Sequence, residues 1–429
     1  MNEQPYTRRE FMGRSLAVVS TAATIPAFVQ RSAFAIEQPD SVRHTAQRPG
    51  VPEDRILVVV QLGGGNDGLN TIVPYGTDDY YQMRPQLAVP RGEVLKLNGA
   101  DGIGLHPQLN SLMRLYDDGL VAAIQGVGYP NPNRSHFKSM DIWHTGEPRR
   151  GQGYGWLGRY FDNTCEGAPD PNLCVAVGDQ APLAAQGAKV QPVAFQDERL
   201  FRWAGSDLHD DVAASYERIN RAGPVEDVAE GSTASFLMRT ALDAQVSSDR
   251  IRAAARTAPL VNYPRDQMGQ SLKMVGSMIR AGLPTRVYYT SMSGFDTHAG
   301  QQWRHGNLLR QFSAAVAALY RDLKRQGNEK RVLIMSFSEF GRRVRENASG
   351  GTDHGTAAPM FLIGAPVRGG VHGGHPSLTQ LDDNGDLKYH TDFRQVYAAI
   401  LERWMGTDSA AILNGRFKAL NVIAADRSA

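Results

Sequence analysis

The chain has 429 residues, 41% of them hydrophobic and 21% charged, with 44 glycines and 23 prolines. Glycine keeps no three-residue period, no heptad persists, and aromatic and aliphatic residues are plentiful, which excludes collagen-like, coiled-coil and disordered chains. The net charge is +2, and Arg8, Arg9, Arg14 and Arg31 against Glu3 and Glu10 account for all of it; no Lys/Arg-rich run remains to give a nucleic-acid binder its basic footprint, so no nucleic acid is expected as a partner.

The N-terminus reads Thr7-Arg8-Arg9-Glu10-Phe11, then an apolar stretch from Leu16 to Phe28, then Ala33-Phe34-Ala35. This is the pattern of a twin-arginine signal peptide over residues 1–35, followed by a polar leader over 36–52. The apolar stretch falls short of the roughly 20 residues a bilayer span needs. The expectation is export to the periplasm or beyond by the twin-arginine machinery, with no stable membrane span. That route carries folded proteins, which favours a metal or cofactor loaded before export.

Ile56–Leu62 is an unbroken apolar run rich in β-branched residues, which predicts a strand buried on both faces. A helix is predicted over about 108–118, a strand over Leu120–Gln125 and a helix over 135–144. The region 165–230 reads as irregular. Cys165 and Cys174, the two cysteines of the chain, lie at its start, where an oxidising compartment predicts one short disulfide. Amphipathic stretches follow at about 232–256 and 264–281. Then come a strand at Arg286–Thr290, a helix at Gln301–Gln326, strands at Val332–Phe337 and Pro359–Ile363, and a helix at Phe393–Trp404. Strands alternating with helices predict an α/β fold with a mainly parallel sheet covered on both faces. One domain over 53–425 is expected, with a loop-rich and helical insertion at about 165–281.

Ligands of open α/β sheets bind at the carboxyl ends of the strands. Five loops place reactive groups there. They are Gly63-Gly64-Gly65-Asn66-Asp67, the segment Asn131-Pro132-Asn133-Arg134-Ser135-His136, Gly294-Phe295-Asp296-Thr297-His298, Ser338-Glu339-Phe340-Gly341-Arg342-Arg343, and Thr352-Asp353-His354. The triple glycine reads either as an anion cradle or as a tight turn. Asp67 reads as a metal ligand or a helix cap. Ser135 reads as a nucleophile or an N-cap. Asp296, His298, Glu339 and His354 are side chains that hold divalent metals. Arg342 or Arg343 pairs with Glu339 or clamps a tetrahedral anion. Asp353 reads as the residue orienting His354, and His305 as a spare imidazole.

These stretches, with Tyr129–Gly146 the most specific, resemble the exported bacterial domain-of-unknown-function 1501 family of the alkaline phosphatase-like (sulfatase-like) superfamily. The resemblance implies the three-layer alkaline phosphatase-like sandwich. In sulfatases a nucleophile opens a helix that ends in a Thr-Gly pair, and Ser135 with Thr145-Gly146 is similar, which implies Ser135 as nucleophile. It also implies Asp67 as the first-strand metal ligand, Asp296 with His298 as an Asp/His pair on one metal, His305 as a substitute for that histidine, and His354 as a late ligand. One departure is Phe340, where superfamily members usually carry a ligating histidine; a phenylalanine cannot bind metal. The function so implied is a metal-dependent hydrolase of phosphate or sulfate esters, on a small molecule or a glycan. It would use Ser135, with Arg134 and Arg342 on the anion and one or two zinc, manganese, magnesium or calcium ions. The alternative is a non-catalytic exported protein binding an anion, a glycan or a partner on the same scaffold.

Overall fold

The computed structural model describes residues 54–149, 151, 153–165, 170–190, 192–196 and 250–424. The export signal, the leader and all but the end of the 232–256 stretch lie outside the described residues.

Strand β1 (Ile56–Leu62) shows why the fold is layered. Its side chains alternate: Ile56, Val58, Val60 and Leu62 enter one apolar core, while Leu57 and Val59 enter a second. A strand that must bury both faces reads as a continuous apolar run. The small strands β2 (Ile72–Val73), β3 (Leu95–Lys96) and β4 (Gly104–Leu105) form a separate antiparallel sheet. The main sheet adds β5 (Val121–Gly128), β6 (Cys174–Val177), β7 (Val193–Phe195), β8 (Val287–Met292), β9 (Val332–Phe337), β10 (Ala358–Ile363), β11 (Gly370–His372) and β12 (Thr391–Asp392). Its order is β11-β5-β10-β9-β1-β8-β6-β7, with β12 also on β5.

All neighbours run parallel except β10, which is antiparallel to both β5 and β9. The reversal has a functional consequence. The loop entering β10 lies at the same sheet edge as the loops leaving β1, β5, β8 and β9. Helices Asn110–Asp117, Gln267–Arg280 and Gln301–Gln326 cover one face, and helices His136–Thr145, Trp156–Thr164, Phe393–Arg403 and Ser409–Leu413 the other. The fold is therefore the mixed α/β three-layer sandwich that the alternation predicts.

Two readings are corrected. The region from 165 is not wholly an irregular insertion, because β6 and β7 extend the main sheet beyond β8. The disulfide expected between Cys165 and Cys174 is not formed: both are buried free thiols in the same apolar core. Burial raises the pKa of each thiol, which keeps it protonated and unreactive. Among the described residues no helix is long and apolar enough to cross a membrane.

Candidate active site

Three loops are tied together by the turn after β1. Gly64 adopts φ +118°, and a side chain there would overlap the backbone nitrogen of Asp296. Only glycine permits that approach. The Gly64 N–H donates to Glu339 Oε1 at 2.8 Å, and Asn66 N–H donates to Ser338 Oγ at 2.9 Å. The glycines thus serve loop packing, and the Gly64 amide is not available to an anion.

Glu339 is only 2% exposed, yet it stays ionised. Burial pulls its pKa upward, but hydrogen bonds from His136, Gly64 and Ser338 outweigh burial and hold it below the usual carboxylate range. A carboxylate can only accept, so His136 Nδ1, 2.8 Å from Glu339 Oε1, carries the hydrogen. That bond is the main reason the His136 pKa is raised. The other nitrogen, His136 Nε2, is buried and has no hydrogen-bond partner. Phe340 stands against this imidazole at 4.9 Å between ring centroids, and against that of His354 at 4.8 Å. The residue that cannot ligate is instead an apolar wall behind two histidines.

The loop after β8 supplies Asp296. Its Oδ1 lies 3.1 Å from His354 Nε2 and 3.1 Å from His298 Nε2, while its Oδ2 lies 3.4 Å from His136 Nε2. His298 Nε2 and His354 Nε2 are 2.9 Å apart. Burial favours protonated Asp296, but the hydrogen bond and charge of Arg342, with the contact to His354, prevail and set its pKa at about 2. The His354 pKa is lowered, chiefly by burial.

Each of the three imidazoles turns its Nδ1 to an oxygen: His136 to Glu339, His354 to the Arg134 carbonyl at 2.8 Å, His298 to Asp353 Oδ1 at 3.4 Å. This is the arrangement that fixes the tautomer of a metal-binding histidine. It leaves the Nε2 lone pairs facing the Asp296 carboxylate. Lone pairs and an anion crowded together repel unless a cation lies among them. Asp296, His136 and His354 bring one donor atom each within 4.8 Å of one another. A tetrahedral zinc with bonds of about 2.0–2.1 Å needs ligand atoms roughly 3.3 Å apart. The spacings of 2.9 to 3.1 Å among Asp296, His298 and His354 are close to that. The residues present fit a divalent metal.

The loop leaving β9 is held against the loop entering β10. Arg342 pairs with His354 as an isolated antiparallel bridge, and Gly355 N–H donates to Gly341 O at 2.9 Å. The Arg342 side chain is buried and fully committed. It donates to the carbonyls of Gly64, Gly65, Phe295 and Thr352 and to Asp296 Oδ1 at 2.7 Å. This corrects the reading of Arg342 as an anion clamp, because no donor face is left for a ligand; Arg342 positions Asp296.

Asp67 is also corrected. It is fully buried, caps helix Gly68–Thr71 through Leu69 and Asn70 N–H, and pairs with Arg84 at 2.6 Å and with Gln301. Arg84 in turn donates to Asn70 Oδ1 and to the carbonyls of Val344 and Arg343. With its oxygens so engaged, Asp67 does not join the imidazoles. Glu339 meets the group through His136. His305 is not a substitute ligand; it is buried against Asn66 Oδ1 at 2.9 Å. Asp353 serves His298, not His354.

Ser135 is exposed at the N-cap of helix His136–Thr145, and its hydroxyl makes no capping bond. Its neighbours on both sides belong to the imidazole group, Arg134 through its carbonyl and His136 through its ring. The Arg134 guanidinium is partly exposed and lies 3.2 Å from Asp386, which also meets Arg343 at 3.3 Å. Sequence reasoning missed His136 as a donor, although its place directly after Ser135 was a signal. Nothing in the sequence marked Arg84.

A mainly parallel α/β sheet with acidic and imidazole side chains gathered at its carboxyl edge defines the class. The chain belongs to the family described as "Protein of unknown function (DUF1501)", whose model matches residues 122–415. No curated protein matches it. Similar solved structures include the C-terminal periplasmic domain of EptC from Escherichia coli in complex with zinc. It is 9% identical, with 76% of this chain and 77% of that chain covered, at a TM-score of 0.37. The lipoteichoic acid synthase LtaP from Listeria monocytogenes is 9% identical over 92% of this chain and 82% of that chain, with a TM-score of 0.40. The PsFucS1 sulfatase from Pseudoalteromonas sp. is 11% identical over 86% and 73%, with a TM-score of 0.36.

Proposed function

We propose that the protein is an exported hydrolase of phosphate or sulfate esters, with Ser135 as nucleophile and a divalent cation at Asp296, His298 and His354, with His136 in reach. The observation that carries this reading is the convergence of three imidazole Nε2 atoms on the Asp296 carboxylate, each ring fixed from behind at Nδ1. A nitrogen-rich donor set favours zinc over manganese, magnesium or calcium. When bound, the cation polarises the ester and offsets negative charge as it develops.

The chain's own groups do the rest. Ser135 Oγ loses its proton and bonds to phosphorus or sulfur, the ester P–O or S–O bond breaks and the alcohol leaves carrying a proton, and water then cleaves the seryl ester, releasing phosphate or sulfate and restoring the hydroxyl. Its position at the start of a ten-residue helix places that oxygen at the positive end of the helix dipole. Arg134, partly exposed beside Ser135, is the cation left to hold the anion, since Arg342 is committed to Asp296. Glu339 keeps His136 oriented, and Phe340 excludes water from one side of His136 and His354.

The test is turnover of aryl phosphate and aryl sulfate by wild type and Ser135→Ala. Turnover falling at least about a thousandfold in Ser135→Ala with metal content unchanged supports the role; equal turnover in the two proteins refutes it. A second reading, binding without turnover, is favoured by Phe340 and by the pairing of Asp67 with Arg84, which remove donors from any second metal. Wild type that holds metal and turns over neither ester speaks for that reading.

A further inference from the structure

Away from the residues of the imidazole group, the described residues line a cavity of about 540 Å³. Its walls come from the first three turns of helix Gln301–Gln326, from Asn70 and from the segments around 87–93 and 106–108. The helix follows directly on the loop that carries Asp296 and His298.

Trp303 lines this cavity and is 77% exposed, whereas Trp143, Trp156 and Trp404 are buried. An indole left in water beside a cavity costs hydrophobic free energy that a ligand recovers. At the cavity wall lies His305, 1% exposed, whose Nδ1 has no hydrogen-bond partner. The Asn66 oxygen facing Nε2 is an acceptor, so Nε2 carries the hydrogen and Nδ1 is an unsatisfied acceptor. Leaving such a group unpaired costs free energy that a ligand hydroxyl offsets. Around them stand Gln108, Asn307, Glu93 and Arg310. One acid and one base cancel, so the cavity offers no net charge to an ion. The amides both donate and accept, the carboxylate accepts and the guanidinium donates, which together serve a polyhydroxyl ligand.

We propose that this cavity binds a neutral sugar ring, stacked on Trp303 with a hydroxyl donated to His305 Nδ1. Burial holds the His305 pKa at about 3, so the imidazole is a neutral acceptor through the ordinary pH range. That the sugar belongs to the ester's own carrier, making the substrate a glycan, rests on the hydrolase reading; the binding of the sugar does not.

The experiment is calorimetric titration of the full chain with unbranched, uncharged hexasaccharides of glucose, mannose and galactose. Trp303→Ala, Trp303→Phe, Gln108→Ala and His354→Ala are titrated alongside, with folding checked by circular dichroism. Trp303 and Gln108 lie at or near the surface, so these proteins are expected to fold. The expected result is saturable binding of one of the three to wild type. Trp303→Ala weakens it at least about tenfold, which is about 1.4 kcal/mol. Trp303→Phe falls between, Gln108→Ala weakens it less, and His354→Ala leaves it unchanged. Three things overturn the proposal: binding of none of the saccharides, binding indifferent to Trp303→Ala, or binding lost in His354→Ala, which would place the sugar at the imidazole group. Saccharide binding that survives in a protein without ester turnover separates failure of the hydrolase reading from failure of this one.

Discussion

At the scale of single residues, the group around Asp296 works because every donor is held in place by a second group. Glu339 holds His136, Asp353 faces His298, the Arg134 carbonyl holds His354, and Arg342 holds Asp296. The Glu339 contact has a titration consequence. A carboxylate accepting from Nδ1 favours imidazolium, so it raises the His136 pKa. Glu339→Gln keeps an acceptor and removes the charge; the His136 pKa falls, and the ring is neutral over a wider range of pH. Histidine resonances followed by NMR against pH check this, and an unmoved His136 curve contradicts it. Gly64 gives a second prediction. Gly64→Ala forces a side chain into the Asp296 backbone at a φ that L residues avoid, at a cost of about 1–3 kcal/mol or more. Chemical denaturation measures that loss, and because the clash falls on the Asp296 loop, metal affinity falls with it.

At the scale of elements, the reversed strand β10 and the buried ion pair of Arg84 with Asp67 assemble the edge. Arg84, at the C-terminal end of helix Asp78–Met83, joins the loop after β1 to the carbonyls of Arg343 and Val344 beyond β9. Removing one partner leaves a buried charge without its counter-ion. Arg84→Met is therefore expected to lower stability by about 3–5 kcal/mol, and Arg84→Met with Asp67→Asn by less than Arg84→Met alone. Denaturant midpoints of the two variants test the coupling; equal or greater loss in the double variant contradicts it. The strands and most helices were legible in the sequence because their apolar periods are strong. Ile56–Leu62 and Val332–Phe337 match the predicted strands end to end. The 165–195 stretch was not, because β6 and β7 have four and three residues, too few for a period to show. The loops carrying Asp296, His298 and His354 were read correctly as neighbours from their place at the strand ends. Asp67 and Arg342 were misread because residue type alone does not tell a ligand from an internal ion pair. Arg84 lies in an ordinary helix end, and only the fold brings it to Asp67.

At the scale of the whole molecule, buried histidines contribute to the response to acid. Burial lowers the pKa of His106 and His144 to about 4 and that of His305 to about 3. Each titrates near 6.5 when unfolded. Between about pH 6.5 and 4 the unfolded chain binds protons the folded chain refuses, so stability rises with pH across that window and is lost as pH falls through it. Melting temperatures should drop steadily from pH 6.5 to 4, and a flat profile would contradict the neutral, buried state of these rings. The central claim concerns the imidazole group itself, and elemental analysis of the natively produced protein tests it most directly, with Asp296→Asn and His354→Ala beside it. The account predicts about one divalent ion per chain in wild type, zinc by its donor set, and its loss in both variants. Wild type that carries no metal and takes up none from added zinc, manganese, magnesium or calcium would contradict it.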